Sequence, residues 1–180
     1  ARHDVPRPAA EAAVARMLAQ QAYHTMGHVA AMLLLLAGSA FFSGSETAFF
    51  NLTRRQIKLI NESKSRVHRL LSQLLKKPGP LLDSLLLGSM AFNVLFFTLA
   101  SVLVFRVEAY WGVTAATGLA LLTFVTFVLL ADILPKSMAY GNSWLVSKVS
   151  ALPAYLVVRV LGPVAFIARF SIVVPFMRLF

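Results

Sequence analysis

Cysteine is absent from this chain of 180 residues, which excludes disulfides and thiolate metal sites. Charge is scarce as well. Only 13% of residues are charged and 58% are hydrophobic, against roughly 25% and 45–50% in soluble domains. Acids are scarcest, with 7 Asp and Glu beside 17 Lys and Arg. Neither internal repeats nor low-complexity tracts occur. What remains is apolar, with a mean hydropathy of +0.74, the composition of an integral membrane protein.

A net charge of +10 on a soluble chain would point to nucleic acid. Here the excess crowds into residues 54–77, where Arg54, Arg55, Lys58, Lys64, Arg66, Arg69, Lys76 and Lys77 face Glu62 alone. A basic loop between apolar runs marks the cytoplasmic side of a membrane, so no nucleic-acid partner is expected. The expected fold is all-α, with three transmembrane helices over about 26–42, 80–105 and 111–134. A polar segment, 1–25, precedes them, with a short helix opening at Pro8. The basic 51–80 loop is placed in the cytoplasm and the N-terminus outside. Arg106-Val-Glu108 is read as the outer turn, with Tyr110 and Trp111 in an interfacial aromatic belt. Two short amphipathic helices are expected between Thr53 and Leu75, lying against the membrane and ended by Lys76-Lys-Pro-Gly-Pro. Residues 143–180 admit two readings. They are long enough for a fourth span, but Arg159, Arg169 and Arg178 recur through them, and Pro153, Gly162-Pro163 and Pro175 interrupt them. Arginine is costly at the bilayer centre, so a belt-like, interfacial helix pair is favoured.

Polar residues interrupt the apolar runs at three places. In FFSGSETAFF, residues 41–50, Ser43 and Glu46 have the spacing of a capping box. Either the first helix breaks there at membrane depth, as at ion sites, or Ser43 caps a helix at the surface. In the second span Ser89 and Asn93, four apart, share a face. They serve an ion or simply a neighbouring helix. In the third, Asp132 is the lone acid of the apolar run, and Pro135 frees the carbonyl of Ala131. Asp132 is then either a ligand or the cytoplasmic end-marker of the span, paired with Lys136. All these groups are oxygens at one depth, away from the histidines (His3, His24, His28, His68), which suits Mg²⁺, Ca²⁺ or Na⁺ rather than Zn²⁺.

FFSGSETAFFNLTR, the Gly88-Ser-x-x-x-Asn93 element and ADILPKSMA, in that order, resemble the transmembrane (DUF21) domain of the CorC/CNNM family over about residues 26–180. The resemblance implies a homodimer of three-span subunits with a juxtamembrane belt, in a multi-pass cell membrane setting such as the bacterial inner membrane. It implies Mg²⁺ efflux coupled to Na⁺ entry, and a dehydrated Mg²⁺ held by Ser43, by Ser89 or Asn93, by the Ala131 carbonyl and by Asp132. Two positions depart from the family pattern. Ser89 stands for an Asn, and Ala131-Asp132 for Gly-Glu, so two ligands are shortened. The alternative implied by those departures is a non-transporting membrane module with a degenerate site. The family's cytosolic CBS domains have no counterpart here, so the chain is expected to be a trimmed piece of a longer protein. Enzymatic activity is not expected, because no nucleophile–base pair stands near Asp132. Small-residue runs for dimer packing are Ala37-Gly-Ser-Ala40 and Ala115 to Ala120, unless they pack within one subunit.

Overall fold

The computed structural model describes residues 7–63 and 65–168. It divides into two units, residues 1–34 and 35–180. In the first, the described residues form the start of helix α1 (Arg7–Phe50), opening with Pro8 in its first turn and exposing Met17, Tyr23 and Met26. In the second lie the rest of α1, α2 (Arg54–Glu62), α3 (Arg66–Leu75), α4 (Pro78–Phe127), a π-helical segment (Val128–Ile133), α5 (Leu134–Gly141) and α6 (Ser143–Ala168). No strand occurs among the described residues. The all-α membrane architecture expected from composition is therefore observed.

Among the described residues, three stretches are long and apolar enough to cross a membrane: Thr25–Phe50, Pro78–Gly141 and Ser143–Pro163. The middle one is not a single rod. If it were straight, Phe96 and Phe127 would stand about 46 Å apart at 1.5 Å per residue, yet their ring centroids are 4.5 Å apart. The chain folds back at Gly112, whose φ of 82° and ψ of 172° break the helical geometry. Phe97 meets Phe124 and Phe127 at 6.2 and 4.8 Å, the pairing of two antiparallel arms. The turn expected at Arg106-Val-Glu108 therefore lies further on. Those residues stay helical because only Gly112 can adopt that backbone cheaply. Tyr110 and Trp111 stand fully outward beside it.

Other expectations are corrected. Helix α1 runs unbroken through Ser43-Gly44-Ser45, so Ser43 and Glu46 form no capping box. Interior glycine and serine weaken a helix only slightly, and tertiary packing holds this one together. A capping box does form at Thr53, whose side chain accepts from the Gln56 N–H while the Gln56 side chain accepts from the Thr53 N–H. The third span does not close at Pro135. Proline has no N–H to give, and the wider π turn before it carries the helix on to Gly141. Helix α6 likewise passes through Pro153 and Pro163 without a break. Over the described residues it is one helix, not a pair; Arg169, Pro175 and Arg178 lie outside them.

The core gathers at the end of the molecule that carries the basic loop. Phe42 and Phe49 of α1, Ile60 of α2, Leu71 and Leu74 of α3, Leu81 and Leu85 of α4, and Ala151 and Ala154 of α6 pack together. The basic residues Arg54, Arg55, Lys58, Arg66 and Arg69 are exposed. Helix α6 begins where α1 ends, with Ser143 donating to the Asn51 carbonyl at 3.4 Å. It is held to α3 by Trp144, which stacks near His68 at 5.5 Å and lies under the Lys148 ammonium at 4.1 Å. Sixteen residues after Ser143, Arg159 borders the cavity lined by Lys76, Lys77 and Pro80. Both contact points of α6 thus flank the basic loop.

Candidate functional site

Close approach between α1 and α4 sets the site. At Gly88 an added Cβ would collide with the buried Phe42 ring, and at Gly38 one would collide with the Phe92 ring. Each helix therefore seats an aromatic of the other against a glycine. The two rings also meet, at 5.3 Å. Helix α1 also comes close to α5: a Cβ on Gly44 would be 3.3 Å from Pro135.

With the helices so placed, three polar rows converge. Ser39, Ser43 and Glu46 follow one face of α1, Ser89 and Asn93 one face of the first arm of α4, and Asp132 and Lys136, four apart, belong to the π segment and α5. All seven line one cavity of about 400 Å³. Four of the five residues expected to hold a cation, namely Ser43, Ser89, Asn93 and Asp132, are thus brought together. Ala131 is fully buried and is not among the lining residues. Phe97, Phe124 and Phe127 line the end of the cavity nearer Gly112. A second cavity, lined by Asn51 and Tyr140 among others, shares Glu46 and Lys136 with the first. The polar chamber therefore continues toward the basic-loop end past one acid and one base.

Inside the chamber, the Ser43 hydroxyl donates to Asp132 Oδ1 at 2.8 Å. Lys136 Nζ lies 2.6 Å from the same oxygen, so the pairing of Asp132 with Lys136 considered from the sequence is present. Asp132 is half exposed to the cavity, at 51%, whereas Ser43 is 3% exposed. Across the chamber Ser39 donates to Asn93 Oδ1 at 2.6 Å. The π segment itself presents Asp132. Its Leu134 N–H reaches back to the Leu129 carbonyl, five residues rather than four, and such turns are frequent at functional sites.

The donor set is hydroxyl, amide and carboxylate oxygen. Among the described residues no three of His, Cys, Asp and Glu come together. Such a set suits a hard cation. Three participants were not singled out as site residues from the sequence. Ser39 read as part of a small-residue packing run, Glu46 read as a helix cap, and Lys136 read as a span terminus. Spacing held the clue: Ser39, Ser43 and Glu46 follow the four- and three-residue steps of one helix face.

Comparison with known proteins identifies the family. A family model described as CNNM, cyclin M transmembrane N-terminal domain, matches residues 30–178. The UPF0053 inner membrane protein YfjD of Escherichia coli is 34% identical over 127 residues, 66% of this chain and 29% of that protein. A UPF0053 protein of Haemophilus influenzae is 32% identical over 130 residues, 72% of this chain and 30% of that one. A putative chloroplastic DUF21 domain-containing protein of Arabidopsis thaliana is 31% identical over 138 residues, 76% and 20% respectively. The chain thus spans no more than about a third of the curated relatives it matches.

Proposed function

This chain belongs to the cyclin M family of transmembrane domains, and on that premise we propose that it carries Mg²⁺ across a membrane, exporting it against Na⁺ entry. The observation that carries the reading is the Ser43–Asp132 hydrogen bond inside a cavity that Ser89 and Asn93 also line. Three helical segments bring oxygens to one cavity within apolar spans, where polar groups are costly. Mg²⁺ needs near-octahedral oxygen ligation at about 2.0–2.1 Å and gives up water reluctantly. Ser43 and Asp132 are its direct ligands here, with Asn93 or Ser89 facing them.

Lys136 gives the site its release step. With no cation bound, its ammonium compensates Asp132. An arriving Mg²⁺ displaces it toward the neighbouring cavity that it shares with Glu46. Return of the ammonium to Asp132 expels the cation. Rocking of the spans about the aromatic cluster near Phe97 and Phe127 would open the opposite side.

In this reading the basic-loop end is cytoplasmic, and the membrane is one like that named for the Escherichia coli relative. Helix α6 lies across that end as a belt. Its length suffices to cross a bilayer, but its hydrogen bond to Asn51 and the cavity it shares with Lys76 and Lys77 favour a helix held at one level. The functional unit is a homodimer. Gly118, open to its surroundings, lies in a small-residue run free to meet a second copy, whereas Gly38 and Ser39 serve packing within the subunit. Cytosolic domains, CBS domains among them, would complete the protein.

A second reading is supported by the same ion pair. A carboxylate already compensated by Lys136, with Ala131 withdrawn from the lining, describes a closed polar joint in a membrane module that transports nothing. Thermal stability of the detergent-solubilised chain against Mg²⁺ separates the two, because a ligand of the folded state raises stability with its concentration. The expected outcome is a rise of several degrees that Ser43→Ala and Asp132→Ala both abolish, followed by Mg²⁺ flux in vesicles that the same substitutions stop. No rise with Mg²⁺, Ca²⁺, Mn²⁺ or Na⁺ selects the module.

A further inference from the structure

A second cavity, remote from the cation chamber, carries its own chemistry. It opens where α3, the start of α4 and α6 meet, and has a volume of about 380 Å³, within the range of small-molecule sites. Its floor is apolar: Leu74 and Leu81 are almost fully buried, and Val158 of α6 closes it. Its rim is basic. Lys76 caps the end of α3, Lys77 precedes α4, and Arg159 comes from α6. No acid lines the cavity, and the Lys58–Glu62 and Lys136–Asp132 ion pairs involve none of these three cations. The rim thus holds three exposed positive charges over an apolar pit.

We propose that this cavity binds one anionic phospholipid, its phosphate held by Lys76, Lys77 and Arg159 and its acyl chains entering over Leu74, Leu81 and Val158. The shared chemistry is a phosphate ester anion. A soluble phosphate would use the rim but has no use for the floor, whereas a phospholipid matches both. Position agrees as well. The basic polar loop gives way to an apolar span within residues 76–81, so the cavity stands at headgroup depth. Leu152, Leu156 and Val160, which flank Arg159 on α6, are exposed and would meet the same lipid layer. Basic pockets between helices on the cytoplasmic side are known to take such headgroups. The inference does not depend on Mg²⁺ transport, and the measurement below contains no Mg²⁺.

Native mass spectrometry of the full chain in neutral detergent, titrated with phosphatidylglycerol or with phosphatidylcholine of the same acyl chains, tests it. Phosphatidylglycerol is expected to bind at least tenfold more tightly. The combined Lys76→Gln, Lys77→Gln and Arg159→Gln variant should lose that preference. A control with equal charge loss on exposed residues of α2 and α3, Arg54→Gln, Arg55→Gln and Arg66→Gln, should keep it within threefold. If the triple rim variant fails to fold, Arg159→Gln alone, at an exposed position, is expected to weaken phosphatidylglycerol about threefold without affecting phosphatidylcholine. Equal loss in rim and control variants would mean diffuse attraction to a basic face and would overturn the site. Displacement of phosphatidylglycerol by inorganic phosphate at matching concentration would overturn the lipid in favour of a soluble anion.

Discussion

A single oxygen of Asp132 serves two donors, the Ser43 hydroxyl and the Lys136 ammonium. A cation bound to that carboxylate must therefore compete with a charge tethered four residues away. At about 4 Å two unit charges interact by roughly 1–4 kcal/mol between bulk water and a protein surface, and the half-exposed geometry puts this pair at the low end. Lys136→Met is expected to lower the Mg²⁺ concentration at half-maximal thermal stabilisation about fivefold, while lowering the midpoint of the cation-free protein. An unchanged Mg²⁺ response would show that the ammonium does not compete. Ser43, Ser89, Asn93 and Asp132 were legible in the sequence because a polar group is conspicuous in an apolar run. Ser39 was not. A helical serine can satisfy itself on its own backbone, as Thr98 and Thr117 do here, so its bond to Asn93, 54 residues on, appears only once the helices dock.

Among the elements, two irregular turns do what the helices cannot. Gly112 reverses the chain with a backbone that other residues adopt only under strain, of order 1–3 kcal/mol. A Cβ would meet nothing within 4 Å at either Gly112 or Gly118, so the two positions separate backbone strain from crowding. Gly112→Ala is expected to lower the thermal midpoint by several degrees and Gly118→Ala to leave the monomer's midpoint unchanged or slightly raised, as followed by circular dichroism. The π turn is the other. One residue of register turns a helix by about 100°, so the element that aims Asp132 depends on the missing N–H of Pro135. Pro135→Ala restores the donor. The variant should keep or gain helical stability yet lose the Mg²⁺-dependent rise, because the carboxylate rotates off the Ser43 face. Element types were readable from composition and periodicity. Element ends were not: proline and glycine signals that would stop a soluble helix at Ser43, Pro135 or Pro153 are overridden where neighbouring helices supply packing and a π turn absorbs the lost bond.

At the scale of the molecule, the distribution of charge and the packing of α6 bear on one question, how the chain sits in a bilayer. Positive charge is concentrated in the 54–77 loop, and α6 meets Asn51 on one side of that loop and shares a cavity with Lys76 and Lys77 on the other. A belt and a fourth span differ sharply in what they predict for positions along α6. In a crossing helix, Leu145 and Val160 would differ in depth by about 22 Å at 1.5 Å per residue, most of a hydrocarbon core of about 30 Å. In a belt they share one depth. The absence of native cysteine makes any introduced one unique, and both positions are exposed, so Leu145→Cys and Val160→Cys can each carry a spin label without disturbing the core. In reconstituted vesicles, relaxation by lipid-soluble oxygen against a water-soluble nickel chelate should give the two labels depths within a few ångströms, near the headgroups. Alongside, Gln73→Cys should react with an impermeant maleimide only from the cytoplasmic side and Tyr110→Cys only from the other. Labels at widely separated depths would make α6 a fourth span and would lift Arg159 into the bilayer, removing both the belt and the phospholipid rim at one stroke. Matching depths with reversed labelling would keep the belt and turn the transport direction around.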